Sequence, residues 1–253
     1  MAALAIVTAA VGGWPFALFW AAAAIVVYWE WSSMVARHAK VPLVAGAAAL
    51  LLAAAAAVSG HMDYAAALVA AGAIAVALLA RRRRAWSAGG VLYAGALVLA
   101  PVVIRRDPQS GSAAVFFLFA VVWATDIFGY FAGRLIGGPR LAARISPKKT
   151  WAGACGGVAG AVAAGVGFTL LAGYTMLGSA LAAFVLSIVS QAGDLLESAV
   201  KRRFGVKDAS HVIPGHGGLM DRLDGFLAAA AVAALIGIVR GGPAAAAHGL
   251  LVW

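Results

Sequence analysis

Apolar positions run almost without interruption along this chain, and polar positions gather in short breaks between the runs. Reading for uncharged stretches of bilayer-crossing length, about 17 to 25 residues, gives candidates near 14–29, 41–58, 64–80, 85–104, 113–133, 151–172, 175–193 and 225–239. Two shorter runs, 2–12 and 243–253, are read as further spans or interfacial pieces. The predicted fold is therefore all-α, a polytopic integral membrane bundle of about 8–10 transmembrane helices. It is expected to form a single membrane domain over 1–253, with N-terminal helices in 1–112 and the helices that carry the chemistry in 113–253. Two polar loops, 134–150 and 194–224, fall in the second part.

Composition agrees with the pattern. Hydrophobic residues make up 64% of the chain, charged residues only 11%, and the mean hydropathy of +0.97 excludes a soluble domain. Many runs are rich in Ala and Gly, which let helices approach closely where lipid offers no hydrophobic driving force. The first basic residue is Arg37, too late for the positive start of a signal peptide, so the mature chain is expected to begin at or near Met1. The one cysteine, Cys155, lies in the small-residue run 152–157 and reads as a helix-packing position; an internal disulfide is excluded.

The net charge of +10 does not point to nucleic acid, because the basic residues sit in short loops between spans. Threading the runs alternately, with 2–12 and 14–29 as a hairpin, collects the loops 30–40, 81–84, 134–150 and 194–224 on one side. Those loops hold sixteen of the nineteen Lys and Arg, against Arg105, Arg106 and Arg240 opposite. The positive-inside rule places the first set in the cytoplasm, which predicts a multi-pass protein of the inner membrane with its polar clusters facing the cytosol. Trp29, Trp31, Trp86 and Trp151 fall near span ends, where interfacial tryptophans gather.

Six of the nine acids, Asp126, Asp194, Glu197, Asp208, Asp221 and Asp224, lie in or beside two polar clusters, leaving Glu30, Asp63 and Asp107 elsewhere. Asp126 interrupts one apolar run and Asp194 ends another. Acids at such depth are costly unless they meet a cation, a proton or a metal. Asp194, Glu197, Ser198 and Lys201 are spaced as one helical stripe. Asp221 and Asp224 share a face at the start of the next helix, which suits either simple capping or a metal. Stripe and face together would supply enough carboxylate oxygens for Mg²⁺. Lys201, Arg202, Lys207 and Arg222 then suit a triphosphate, or else a topogenic loop touching anionic headgroups. His216, among glycines, is either a turn residue or a phosphate donor. In the upstream cluster, Gly129 and Gly133 suit helix packing at least as well as ligand contact. Ser146, Lys148, Lys149 and Thr150 place hydroxyls and ammoniums beside a helix start, where anions are favoured.

Taken together, these residues resemble the phosphatidate cytidylyltransferase (CDP-diacylglycerol synthase) family. Its C-terminal pattern is met by Ser198, Lys201-Arg202, Lys207-Asp208, Pro214, His216-Gly217-Gly218 and Asp221-Arg222-x-Asp224, and upstream by Ala124-Thr125-Asp126, Gly133-Arg134 and Ser146 to Trp151. Ala152 departs from it, standing where a glutamate is expected. The resemblance implies that CTP and phosphatidic acid give CDP-diacylglycerol and pyrophosphate in the bilayer, with Mg²⁺, or two cations, held by Asp194, Asp221 and Asp224. It implies a catalytic set of Lys201, Arg202, Lys207, Asp208, His216 and Arg222. Asp126, Arg134, Ser146, Lys148, Lys149, Ser198, Gly217 and Gly218 would bind substrate, and a homodimer is compatible with it. Two alternatives stand beside it: a CTP-using membrane enzyme acting on another lipid, such as an isoprenoid alcohol kinase or archaeol-type cytidylyltransferase, and an ion-coupled transporter of a phosphorylated solute.

Overall fold

The computed structural model describes residues 2–36, 39–210 and 217–253. It contains ten helices among these residues: α1 (Ala2–Val11), α2 (Gly13–Ala36), α3 (Lys40–Val58), α4 (Met62–Leu79), α5 (Arg84–Arg105), α6 (Gly111–Leu135), α7 (Trp151–Ala172), α8 (Met176–Arg203), α9 (Met220–Gly241) and α10 (Ala246–Leu251). Eight of them, α2 to α9, are long and apolar enough to cross a membrane, and they coincide with the eight runs read from the sequence. The ten-residue α1 and six-residue α10 rise about 1.5 Å per residue and are too short to span about 30 Å of hydrocarbon.

The chain divides into two compact units, Met1–Arg106 with Arg203–Leu223, and Asp107–Arg202 with Asp224–Trp253. In the first, α2 packs on α3 and α5, and α4 packs between α3 and α5 in sequence order. Phe16, Trp20, Tyr28, Leu50, Leu97 and Ile104 form its innermost layer. The hairpin expected at the N-terminus exists, with α1 as its short arm. Arg105 closes it by donating from Nε to the Ala9 carbonyl at 2.6 Å and from the guanidinium to Ala10 at 3.1 Å, which satisfies carbonyls that the end of α1 leaves unpaired. Trp31, near the end of α2, packs into the unit. It is buried at 6% exposure, donates to the Trp86 carbonyl at 2.8 Å, stacks on Tyr93 and fills the space that a side chain at Gly90 would need.

In the second unit, α6 lies along α7, and α10 packs on α6. Between α6 and α7 the all-α expectation is modified by a small antiparallel hairpin, β1 (Arg140–Ala142) and β2 (Ser146–Thr150), pairing Arg140 with Thr150 and Ala142 with Ser146. Gly137 and Gly138, at φ 68° and 98°, let the chain leave α6 and turn into β1. Thr150 ends β2 and accepts from the Gly153 amide at 3.1 Å, capping α7. Cys155 is exposed and not packed; the close approach of α7 to α6 is made by Gly153, Gly156, Gly157 and Gly160.

The loop expected over 194–224 is shorter than its sequence span, because α8 continues to Arg203 and α9 begins at Met220. The polar stripe prolongs α8 by pairing within itself: Lys201 Nζ lies 2.7 Å from Glu197 Oε2, and Ser198 Oγ donates to Asp194 Oδ1 at 3.4 Å. Asp107, 3% exposed, is a second internal anchor. It accepts from the Gln109 and Ser110 amides at the start of α6 and from the His248 amide of α10. Asp107→Ala would leave these donors unmet, the Ser110 amide among them buried, and we expect a loss of about 1–3 kcal/mol, read as a lower thermal midpoint of the detergent-solubilised protein.

Candidate active site

Glycines bring α8 and α9 together in the second unit. A side-chain carbon at Gly193 would stand 2.8 Å from the Asp224 carbonyl, and one at Gly225 would stand 2.6 Å from Ser190 Oγ. Each glycine adjoins an acid, so the crossing that requires them also sets Asp194 beside Asp224. Gly129, Gly133 and Gly153 do the same for α6 and α7: a side-chain carbon at Gly153 would lie 2.8 Å from the Gly129 carbonyl and 3.3 Å from Gly133 Cα. The packing role read for Gly129 and Gly133 is thus observed. A polar seam then ties the helices, with Thr125 Oγ1 donating to Ser187 Oγ at 2.9 Å and Gln191 Nε2 to the Ala154 carbonyl at 3.3 Å.

Above this seam opens a cleft of about 590 Å³, within the usual range for a small-molecule site. Its lining includes the acids Asp126 and Asp194 and the cations Arg134, Lys148 and Lys149, together with Gly129, Gly133 and Gly153. Lys149 Nζ reaches Asp194 Oδ2 at 2.6 Å. Their side chains keep 26% and 37% exposure, so a ligand can reach both. Asp126, Asp194, Asp224 and Lys149 lie within electrostatic reach of one another. The cleft therefore joins close-set carboxylates to cations that oppose them, and an anion carrying its own divalent cation would meet both demands.

A larger cavity of about 960 Å³ lies in the first unit, lined by Lys40, Arg81, Arg82, Arg83 and Phe204 together with apolar side chains. No acid is among its described lining residues, so the smaller cleft has the richer chemistry.

The remaining expected site residues are distributed as follows. Arg134 lines the cleft and donates to Tyr130 OH at 2.9 Å. Ser146 opens β2 opposite Ala142. Lys201 is buried against Glu197 inside α8, outside the cleft lining, and Arg202 is exposed on the last turn of α8. In the first unit Lys207, Asp208 and Arg222 are exposed. Asp221 Oδ2 accepts from the Ala209 amide at 3.1 Å and from the Gly218 amide at 2.7 Å. Gly217, at φ 80°, passes so close that a side-chain carbon there would stand 2.9 Å from the same oxygen. Pro214 and His216 lie outside the described residues. Thr125 and Thr150, quoted in the sequence motifs, also line the cleft, and Tyr130 and Gln191 join it without having been singled out; only their helical spacing from Asp126 and Asp194 could have pointed to the last two.

The implied Mg²⁺ can be tested against these donors. Among the described residues no group of three His, Cys, Asp or Glu side chains is assembled to hold a metal by itself. Mg²⁺ does not need such a cage, since it keeps several waters and is commonly bound by one or two carboxylates plus substrate phosphates. Asp194 and Asp224, hard oxygen donors set side by side, fit that mode.

Fold and cleft together define a polytopic helical membrane protein with a mixed acidic and basic site, and the chain belongs to the cytidylyltransferase family, whose model matches residues 1–239. Among individual proteins it is similar to enzymes named phosphatidate cytidylyltransferase. It is 52% identical over 159 residues to one from Brucella abortus biovar 1 (strain 9-941), covering 62% of this chain and 59% of the relative. To one from Mycobacterium leprae (strain TN) it is 49% identical over 127 residues, covering 50% of this chain and 41% of the relative. The matches thus span less than two thirds of the length of these relatives.

Proposed function

We propose that this chain is a phosphatidate cytidylyltransferase of a bacterial inner membrane, working on the cytosolic side. The observation that carries the reading is the cleft itself, where Lys149 faces Asp194 at 2.6 Å with Asp126 in the same lining and Asp224 within electrostatic reach. Family membership and the named relatives support it.

In the proposed reaction an oxygen of the lipid phosphate attacks the α-phosphorus of CTP. The new bond is a phosphoanhydride, the bond to the β-phosphate breaks, and pyrophosphate leaves with its electron pair. The nucleophile is already anionic, so the main obstacle is repulsion between two anions. Lys148, Lys149 and Arg134 lower that repulsion and orient the phosphates. Asp194 and Asp224 are the proposed ligands of Mg²⁺, and Asp221, three residues before Asp224 in sequence, is proposed as a further acid. When bound, Mg²⁺ supplies charge neutralisation on the phosphate oxygens. Arg202, Lys207 and Arg222 are proposed to draw phosphate from solution, and the buried Lys201–Glu197 pair to stiffen α8 beside Asp194. The apolar outward faces of α7 and α8, including Leu170, Leu171, Leu177 and Phe184, suit a substrate whose tails stay in hydrocarbon.

The test is direct. Purified protein in detergent, given phosphatidic acid, labelled CTP and Mg²⁺, is expected to produce labelled lipid and one pyrophosphate per lipid. Labelled product only from an isoprenoid alcohol or an archaeol-type lipid would reassign the acceptor. Flux of a phosphorylated solute into vesicles with no CTP consumed would replace the enzyme by a transporter.

A further inference from the structure

Glu30 is the most deeply placed acid in the first unit, with no exposed surface, on the membrane helix α2. An acid there is costly unless its oxygens are met. They are: Oε1 accepts from the Leu219 amide at 2.8 Å and from Ser210 Oγ at 2.5 Å, and Oε2 accepts from the Met220 amide at 2.6 Å. The two amides are among the unpaired donors at the start of α9. Residues 217–219 are Gly-Gly-Leu and offer no side-chain acceptor, so the usual local cap is missing. Glu30 supplies it from 189 residues away in sequence, with its negative charge at the positive end of the helix dipole.

The contact leaves no slack. A side-chain carbon at Gly218 would stand 2.6 Å from Glu30 Oε1, so the backbone can approach only because that residue has none. Asp221 makes a second clasp on the same two strands of chain, binding Ala209 and Gly218 where Glu30 binds Ser210, Leu219 and Met220. The first turn of α9 is therefore pinned by two carboxylates, one of them from outside the segment.

We propose that Glu30 is a positioning residue for the transfer reaction: it sets where α9 starts and so fixes the placement of the acid on its first turn, Asp221. The inference rests on the cytidylyltransferase reading. A displacement of about 1 Å at a reacting group costs on the order of 10²-fold in rate, and a pin on the first turn guards against a shift of that size.

Glu30→Gln is the informative variant, because it keeps shape and removes one acceptor. Its amide NH₂ must face either the Met220 amide or the Leu219 and Ser210 donors, and two donors repel. In the purified full-length protein we expect kcat to fall by about 10- to 100-fold, with the half-saturating Mg²⁺ concentration raised and Glu30→Asp recovering part of the loss. Ser210→Ala, which leaves both amides capped, is expected to stay within about threefold of wild type. Hydrogen exchange supplies a second readout: the amides of Leu219 and Met220 should exchange about tenfold faster or more in Glu30→Gln, while those of residues 228–233 are unchanged. If Glu30→Gln does not fold, Gly218→Ala, which pushes the carboxylate away, should raise the Mg²⁺ requirement in its place. Wild-type kcat and Mg²⁺ dependence in the variant that folds would overturn the proposal. Wild-type protein that transfers no cytidylyl group would overturn the functional reading instead, and unaltered exchange at 219 and 220 would then dispose of the clasp as well.

Discussion

Asp194→Asn should lower kcat by about 10²- to 10³-fold, the usual cost of removing one preorganised charge-stabilising group, without unfolding the protein. The side chain is 37% exposed and the substitution keeps its volume, so no cavity forms and no buried charge is stranded. Three interactions change. Lys149 loses its 2.6 Å partner, Ser198 Oγ keeps an acceptor only if the amide oxygen turns toward it, and the acidic group made with Asp126 and Asp224 loses one charge. A freed Lys149 should hold phosphate at least as firmly as before. KM for CTP is therefore expected to stay level or fall while kcat drops, which is the signature of an interaction made in the transition state. Excess Mg²⁺ should restore part of the rate, because weaker binding is offset by mass action. Steady-state kinetics over a Mg²⁺ series separate these effects. Full turnover at ordinary Mg²⁺ would remove Asp194 from the site.

The eight spans were legible because bilayer thickness sets their length and an uninterrupted apolar run has few other uses. Their ends were less legible. The stripe Asp194, Glu197, Ser198 and Lys201 was read as helical from its spacing although counted within the loop 194–224, and its members pair along one helix that carries α8 to Arg203. The hairpin over 140–150 was missed because Pro147 and two lysines obscure any alternation in so short a segment. In the cleft, Asp126, Arg134, Lys148, Lys149 and Asp194 were all picked out in advance, since isolated charges beside apolar runs are informative. Glu30 obeys the same rule and was passed over, because its run ended at residue 29 and the acid was assigned to the following loop. What no pattern could show is which acid meets which donor: the pairing of residue 30 with 219 and 220 is a matter of tertiary packing.

The crossing of α8 and α9 offers a test that touches no charged group. A methyl at Gly193 would lie 2.5 Å from Ala228 Cβ and 2.8 Å from the Asp224 carbonyl, and the second neighbour is backbone that cannot rotate away. Gly193→Val should therefore force the helices apart at the point where Asp194 and Asp224 adjoin. Overpacking of this kind typically costs about 1–3 kcal/mol, which should lower the thermal midpoint without abolishing the fold. The kinetic effect should be larger than the stability effect, with activity falling about 10²-fold if the acids separate by about 1 Å. A control of equal bulk in the same unit, Gly167→Val, is placed where an added Cβ has no neighbour within 4 Å and should leave rate and midpoint near wild type. If Gly193→Val destabilises the protein but the folded fraction turns over normally, the two acids do not act together, and the cation must be held by a different pair.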